Sequence, residues 1–201
     1  MTKAKLKPAH EQAQARPDGR RQRSDANRRR IAETMLDLVF EGEMTPSADR
    51  IAERAGVGRR TVFRLFNDME GVYREAHAVM LARVAPIVDE PIRGATWRAR
   101  LDQVIERRAR LFEEMLPIKT ASDALRGQSP FLQADHAELA RMLRGVLLFI
   151  VPKPVSEDRT LFEAVDLSLS FEAWRRLRQE QRLSAKSATT VMKRITAALL
   201  D

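Results

Sequence analysis

From Asn27 onward the apolar positions of the chain recur at intervals of three and four, and no stretch alternates with period two for long enough to make a strand. An all-α fold is the expectation. The first helix reads from about Asn27 to Glu41, with Ile31, Met35, Leu38 and Val39 on one stripe and Gly42 as its stop. Thr45 followed by Pro46 predicts the start of a short second helix ending near Ala55, because Thr can cap orphan N–H groups and Pro fits the first helical position. Gly56-Val57-Gly58 breaks it, and Arg59 to Phe66 reads as a third helix with Val62, Phe63 and Phe66 as its apolar residues. Asn67 or Asp68 caps a fourth from Met69 to about Ala85, ended by Pro86.

Longer helices follow. Trp97, Leu101, Val104, Ile105, Phe112, Met115 and Leu116 mark a stripe from about Thr96 to Leu116, closed by Pro117, with a short helical piece over Ile118 to Leu125. Leu139, Met142, Leu143, Val146, Leu147 and Ile150 mark another, broken by Pro152 and Pro154. Ser156 with Glu157 and Asp158 opens the next, whose stripe of Phe162, Val165, Leu169, Ala173 and Leu177 carries it to about Arg182. Ser184 caps a last helix bearing Ala188, Val191, Met192, Ile195 and Leu199.

Charge refines this picture. The chain has 201 residues and a net charge of +8, but residues 1–30 hold ten basic against three acidic side chains, so the remainder is close to neutral. Residues 1–25 have no large apolar residue after Leu6 and cannot bury enough surface to offset ordering entropy. They read as a flexible basic arm, either a solvated tail or a segment that meets a polyanion. Absent cysteine excludes disulfides, thiolate metal sites and a Cys nucleophile, and His10, His77 and His136 are scattered too far apart for a His-rich metal site. No run approaches the ~20 apolar residues of a membrane helix, and no apolar segment backs the basic N-terminus as in a secretory signal. A cytoplasmic protein without cofactor or metal is expected. Nor is it expected to be an enzyme, since there is no Gly-rich phosphate loop, Ser-His-Asp context or metal-spaced cluster.

Two short helices joined by a Gly-containing turn within Thr45 to Phe66 fit a helix-turn-helix, which projects its second helix into the DNA major groove. Ile51, Ala52, Ala55, Val57, Val62 and Phe66 would fix the pair and leave Arg59, Arg60 and Arg64 outward. On spacing alone an ordinary helical hairpin with solvated arginines fits equally. The segment RIAERAGVGRRTVFRLFND, however, resembles the DNA-binding signature of the TetR family of bacterial transcriptional regulators, with Ile51, Ala52, Ala55, Gly56, Val57, Thr61, Phe63 and Phe66 matching. The stretch from Asp166 to Ala188 is similar, more loosely, to the end of many TetR-like chains.

The resemblance implies a three-helix DNA-binding domain over residues 26–75 and a larger helical effector-binding and dimerisation domain over 76–201, following the arm of 1–25. It implies a homodimeric regulator, most commonly a repressor, that reads a palindromic operator in double-stranded DNA and is released by a small-molecule effector. Arg59, Arg60 and Arg64 are the candidates for reading bases, because Arg pairs bidentately with guanine. Thr45, Ser47 and Thr61 are candidate phosphate donors, Phe63 holds the family's aromatic position, and Arg20, Arg21, Arg23 and Arg28 to Arg30 are placed to wrap the duplex. Several positions depart from the family: Gly58 replaces a Ser-like cap, Arg60 a small residue, Phe63 a Tyr, Leu65 a His and Met69 a Lys. The core is thereby short of phosphate contacts, which gives the basic arm a motive.

Ser170, Trp174, Leu177, Val191 and Ile195 are expected at the dimer interface, on terminal helices that would otherwise only close the core. Trp97, Phe112, Met115, Met142 and Phe149 are expected around an effector pocket, with Asp135 and His136 available to a polar group; as aromatics and Met at helical spacing they equally suit plain core. The competing reading is a basic-tailed helical scaffold or membrane-surface protein, which would bind acidic vesicles as tightly as DNA.

Overall fold

The computed structural model describes residues 19–201; residues 1–18 and the Arg20 side chain lie outside the described residues. Ten α-helices account for the architecture, with no strand among the described residues: α1 (Gly19–Phe40), α2 (Ala48–Arg54), α3 (Arg59–Phe66), α4 (Met69–Val88), α5 (Trp97–Leu125), α6 (Pro130–Ile150), α7 (Lys153–Glu157), α8 (Arg159–Ser168), α9 (Phe171–Arg175) and α10 (Ala185–Leu200).

Most departures from the expected boundaries have local causes. Helix α1 begins at Gly19 rather than near Asn27, so the last residues assigned to the arm are helical. Arg, Gln and Ala are good helix formers, and each added residue costs little once the apolar stripe has nucleated the helix. Gly42, with φ of 103°, stops it as expected. For α2 the cap is Ser47 rather than Thr45, its hydroxyl accepting from the Arg50 amide at 3.2 Å. Helices α4 and α5 both continue past their prolines, Pro86 and Pro117. Pro86 lies in the last turn of α4, so only Ile87 and Val88 follow it in the helix; Pro117 is carried through by Met115, Lys119 and Ala121, which are all buried by packing.

The long helix expected from Glu157 to Arg182 is broken at Leu169 and Ser170. Ser170 caps α9 by accepting from the Ala173 amide at 3.1 Å, and a π-helical turn, Arg176–Glu180, follows. The freed carbonyl of Leu169 accepts from the Arg108 guanidinium at 2.8 Å, so a side chain from another helix stabilises the break.

Two buried clusters form. Ile31, Leu38, Ile51, Val62, Phe66 and Val72 pack together from α1 to α4. Val104, Phe112, Leu147, Val165, Trp174 and Met192 lead the second, from α5 to α10. Helix α4 belongs to both: Val72 and Ala76 enter the first cluster, Met80 and Val84 the second. It links the two halves, together with the packing of α1 against α5 through Phe40 and Ile118.

Candidate nucleic-acid interface and the polar cavities behind it

The α2–α3 pair is locked from inside. Val62 and Ile51 are fully buried and Phe66 nearly so, while the turn between the helices needs the positive φ of Gly56, 65°. A second lock comes from α4. A Cβ on Gly71 would stand 2.4 Å from the Phe66 carbonyl oxygen, so α4 approaches the end of α3 at a distance only glycine permits. A third is Arg28, whose guanidinium donates to the Leu65 carbonyl at 2.5 Å, pairs with Glu75 at 3.0 Å and lies 4.6 Å from the Phe66 ring centroid. Arg28 therefore clamps α1, α3 and α4 together, and it is not spare for wrapping a duplex.

Internal pairing selects which cations remain outward. Arg50 pairs with Glu43 and Glu53, Arg54 with Glu41, and Arg29 with Glu33. Arg59 is held by Asp49 at 2.9 Å and lies against the Phe63 ring. Arg60 and Arg64 on α3 are exposed, and no ion pair engages either among the described residues. Arg21 and Arg23 are likewise exposed, projecting from helix α1 rather than from an extended arm; Arg20 lies outside the described side chains. Thr45 and Ser47 are exposed ahead of α2, although the Ser47 hydroxyl is engaged as its cap; Thr61 and Phe63 are half-buried. Gly58 caps α3 with no side-chain acceptor, which leaves first-turn amides open to solvent or to an anion.

The residues expected to wall one pocket are dispersed. Phe112 is fully buried and meets Phe171 edge-on at 5.6 Å, making it core. Phe149 is 85% exposed, in water rather than in a pocket wall. Trp97 is half-buried beneath Arg98, and Met142 sits at the partly exposed edge of an apolar hollow of about 100 Å³ with Val104 and Leu111. Met115 faces a different apolar cavity, about 50 Å³ between α1, α4, α5 and α6, which Leu36, Tyr73, Met80 and Leu132 also line. Among the expected interface residues, Trp174 and Leu177 are buried in the chain's own core, so they have no face left for a partner. Ser170 is engaged as the α9 cap, Val191 is half-buried and Ile195 is exposed.

Charged residues line these cavities; Asp135 was expected to meet a polar group, whereas Lys119, His77 and Arg108 were not. Lys119, 3% exposed, donates to Asp135 at 3.0 Å, and the other oxygen of Asp135 meets His77 Nδ1 at 2.9 Å. The chain Lys119–Asp135–His77 thus joins α5 and α6 to α4. Burial pushes the Asp135 carboxyl up, but the His77 hydrogen bond and the Lys119 charge outweigh it and hold it at about 2. On the other side of Lys119 lies a second cavity of about 50 Å³, bounded by α5, α6, α8 and α9. Arg108, 2% exposed, lines it. Burial pulls its guanidinium down to about 10, with Asp166 opposing and Arg107 adding to the fall, so it stays cationic near neutrality. Arg108 and Lys119 could have been noticed: both occupy positions where the α5 apolar stripe, running through Ile105, Phe112 and Met115, calls for an apolar side chain.

No protein-family model matches the chain, and no curated protein matches it. Among solved structures, a crystal structure of a protein from Rhodococcus sp. assigned to the TetR family of transcriptional regulators is similar at a TM-score of 0.63 and 14% identity, covering 90% of this chain and 100% of that one. No helix among the described residues is long and apolar enough to cross a membrane. With an N-terminal helix-turn-helix followed by a helical C-terminal half, the chain has the all-α fold of a TetR-family regulator.

Proposed function

We propose that this chain is a sequence-specific DNA-binding transcriptional regulator, a homodimeric cytoplasmic repressor released from a palindromic operator by a small-molecule effector. The observation that carries the reading is α3: Val62 and Phe66 anchor it from within, while Arg60 and Arg64 stand outward with no ion pair among the described residues. An exposed helix with a buried back and unspent guanidinium groups suits major-groove reading. Residues 26–75 form the DNA-binding unit in this proposal and 76–201 the responsive one, with α4 crossing the division.

Homodimerisation draws support from apolar side chains left in water: Leu148, Phe149 and Met142 on α6, Leu167 on α8 and Ile195 on α10. Arg144 of α6 pairs with Glu163 and Asp166 of α8, holding those two helices side by side. The interface accordingly moves from Trp174 and Leu177 to these exposed residues. Effector response is supported by the cavities that meet at Lys119, one of which touches α1 and α4 directly.

Selecting binding sites from random duplex DNA with the purified chain tests the proposal. A palindromic consensus with half-sites about one helical turn apart, ~34–36 Å or more, is expected. No preferred sequence, together with equal binding to acidic vesicles, would overturn it in favour of a basic surface-binding protein. Replacing Arg21 and Arg23 by Gln should flatten the salt dependence, by a slope of about 0.9 for each phosphate the chain no longer neutralises.

A further inference from the structure

Side chains around the cavity bounded by α5, α6, α8 and α9 carry buried polar atoms that the fold leaves unpartnered. Arg108 donates through its two terminal nitrogens to the carbonyls of Leu169 and Leu143, yet its buried Nε has no partner among the described residues. The buried Nδ1 of His136 is also without one, while its Nε2 faces Glu172 at 3.7 Å. Lys119, whose ammonium carries three donors, has Asp135 as its one hydrogen-bond partner among the described residues. A cation buried this deeply is costly unless something compensates it.

The acids on the same wall are already occupied or face water. Asp166 is held by Arg144 at 3.0 Å, and the side chain of Glu172 is 50% exposed. What the cavity lacks is therefore an acceptor, and an anionic one fits two cationic side chains. The rest of its wall includes the apolar Leu139, Leu143 and Phe171.

We propose that this cavity binds a small organic carboxylate, its oxygens accepting from Arg108 Nε, from Lys119 and, with the imidazole proton on that nitrogen, from His136 Nδ1, and its apolar part lying against Leu139, Leu143 and Phe171. The proposal rests on the effector reading above and names the chemical class of the ligand. It also supplies a route to DNA. A carboxylate at Lys119 competes with Asp135 for the ammonium and leaves Asp135 to His77 alone, which shifts the pairing that ties α5 and α6 to α4. That helix sets the position of α3 through Gly71 and Phe66.

The test is calorimetric titration of the full chain with acetate, butanoate, hexanoate and octanoate, beside 1-hexanol and hexylamine, repeated on Lys119→Met and His136→Leu and followed by displacement of the selected duplex. At least one carboxylate should bind, tenfold or more tighter than 1-hexanol and hexylamine, and each variant should lose tenfold or more. His136→Leu guards against a folding defect in Lys119→Met, and circular dichroism checks both. No carboxylate binding, binding no better than that of the alcohol or amine, or unchanged binding in the folded variants overturns the site. If carboxylates bind but the duplex stays bound, the site stands and the effector reading falls. If 1-hexanol releases the duplex and carboxylates do not bind, the effector reading stands and the carboxylate site falls.

Discussion

The two halves of the molecule handle charge in opposite ways. Around α2 and α3 the cations lie at the surface, and most are matched by nearby acids: Arg50 by Glu43 and Glu53, Arg54 by Glu41, Arg59 by Asp49. In the C-terminal half, Arg108 and Lys119 are drawn into the core among helices that are otherwise apolar on their inner faces. Exposed pairs of the first kind contribute little stability each, so their main effect is to decide which arginines stay free. Buried cations of the second kind must be answered by carbonyls, by Asp135 or by something bound. One half sorts its charges by position along a helix, and the other by what the surrounding helices bring to them.

The most severe test of this contrast is truncation of an apolar core residue in the C-terminal half. Phe112→Ala removes a fully buried ring and should cost about 3–5 kcal/mol, read from denaturant unfolding. If the α1–α3 part then melts in a separate transition, the halves are energetically independent; a single transition shows that α4 and the α1–α5 packing couple them. Gly71→Ala attacks the other half, where the new methyl would meet the Phe66 carbonyl. A loss of about 1–3 kcal/mol is expected from overpacking, with weaker DNA binding because α3 must shift. An unchanged melting temperature would mean that α4 yields without strain.

Arg60→Ala and Arg59→Ala separate free from tethered cations. Loss of Arg60 should relax sequence preference at one operator position by about 1–3 kcal/mol, whereas loss of Arg59, held by Asp49, should change discrimination less. Equal effects would show that the Asp49 pair does not restrain Arg59. Acid titration reports on the buried network. The carboxyl of Asp135 is lowered from its ordinary 3.8 to about 2, so its stabilising contribution is fully present above about pH 4 and lost as pH falls towards 2. Asp135→Asn should accordingly be less stable than the parent at pH 5, with the gap narrowing by pH 2; a gap independent of pH would rule out that carboxylate as its source. The smallest effect is expected from Gly58→Ser. A side-chain acceptor at the α3 cap, where a Cβ meets no atom within 4 Å, should add a few tenths of a kcal/mol in thermal unfolding.

Legibility in the sequence followed the range of the interactions. Helix α3 reads correctly from Arg59 to Phe66 because its limits are set by neighbours in the chain, the Gly-rich turn before it and Asn67 after it. The Ser184 cap of α10 is local in the same way. The prolines at 86 and 117 mislead, since whether a helix survives a proline depends on packing from other helices. The break at Leu169 was hidden because its carbonyl is satisfied by Arg108, sixty-one residues away in sequence. Phe149 and Phe112 share a residue type and a helical setting, yet one is in water and the other at the centre of the core.

By itself the sequence determined the all-α class, the limits of α3 and the arginines it carries, because 3.6-residue periodicity and turn chemistry act over a few residues, whereas the helix-turn-helix was favoured over a plain hairpin only by the family resemblance. Tertiary structure alone decided that Arg28 is a clamp, that Arg59 is tethered while Arg60 and Arg64 stand outward, and that Arg108 and Lys119 meet His136 around one cavity. Those outcomes depend on which helices pack against which, and on the cost of burying a charge that only residues distant in the chain, or a ligand, can compensate.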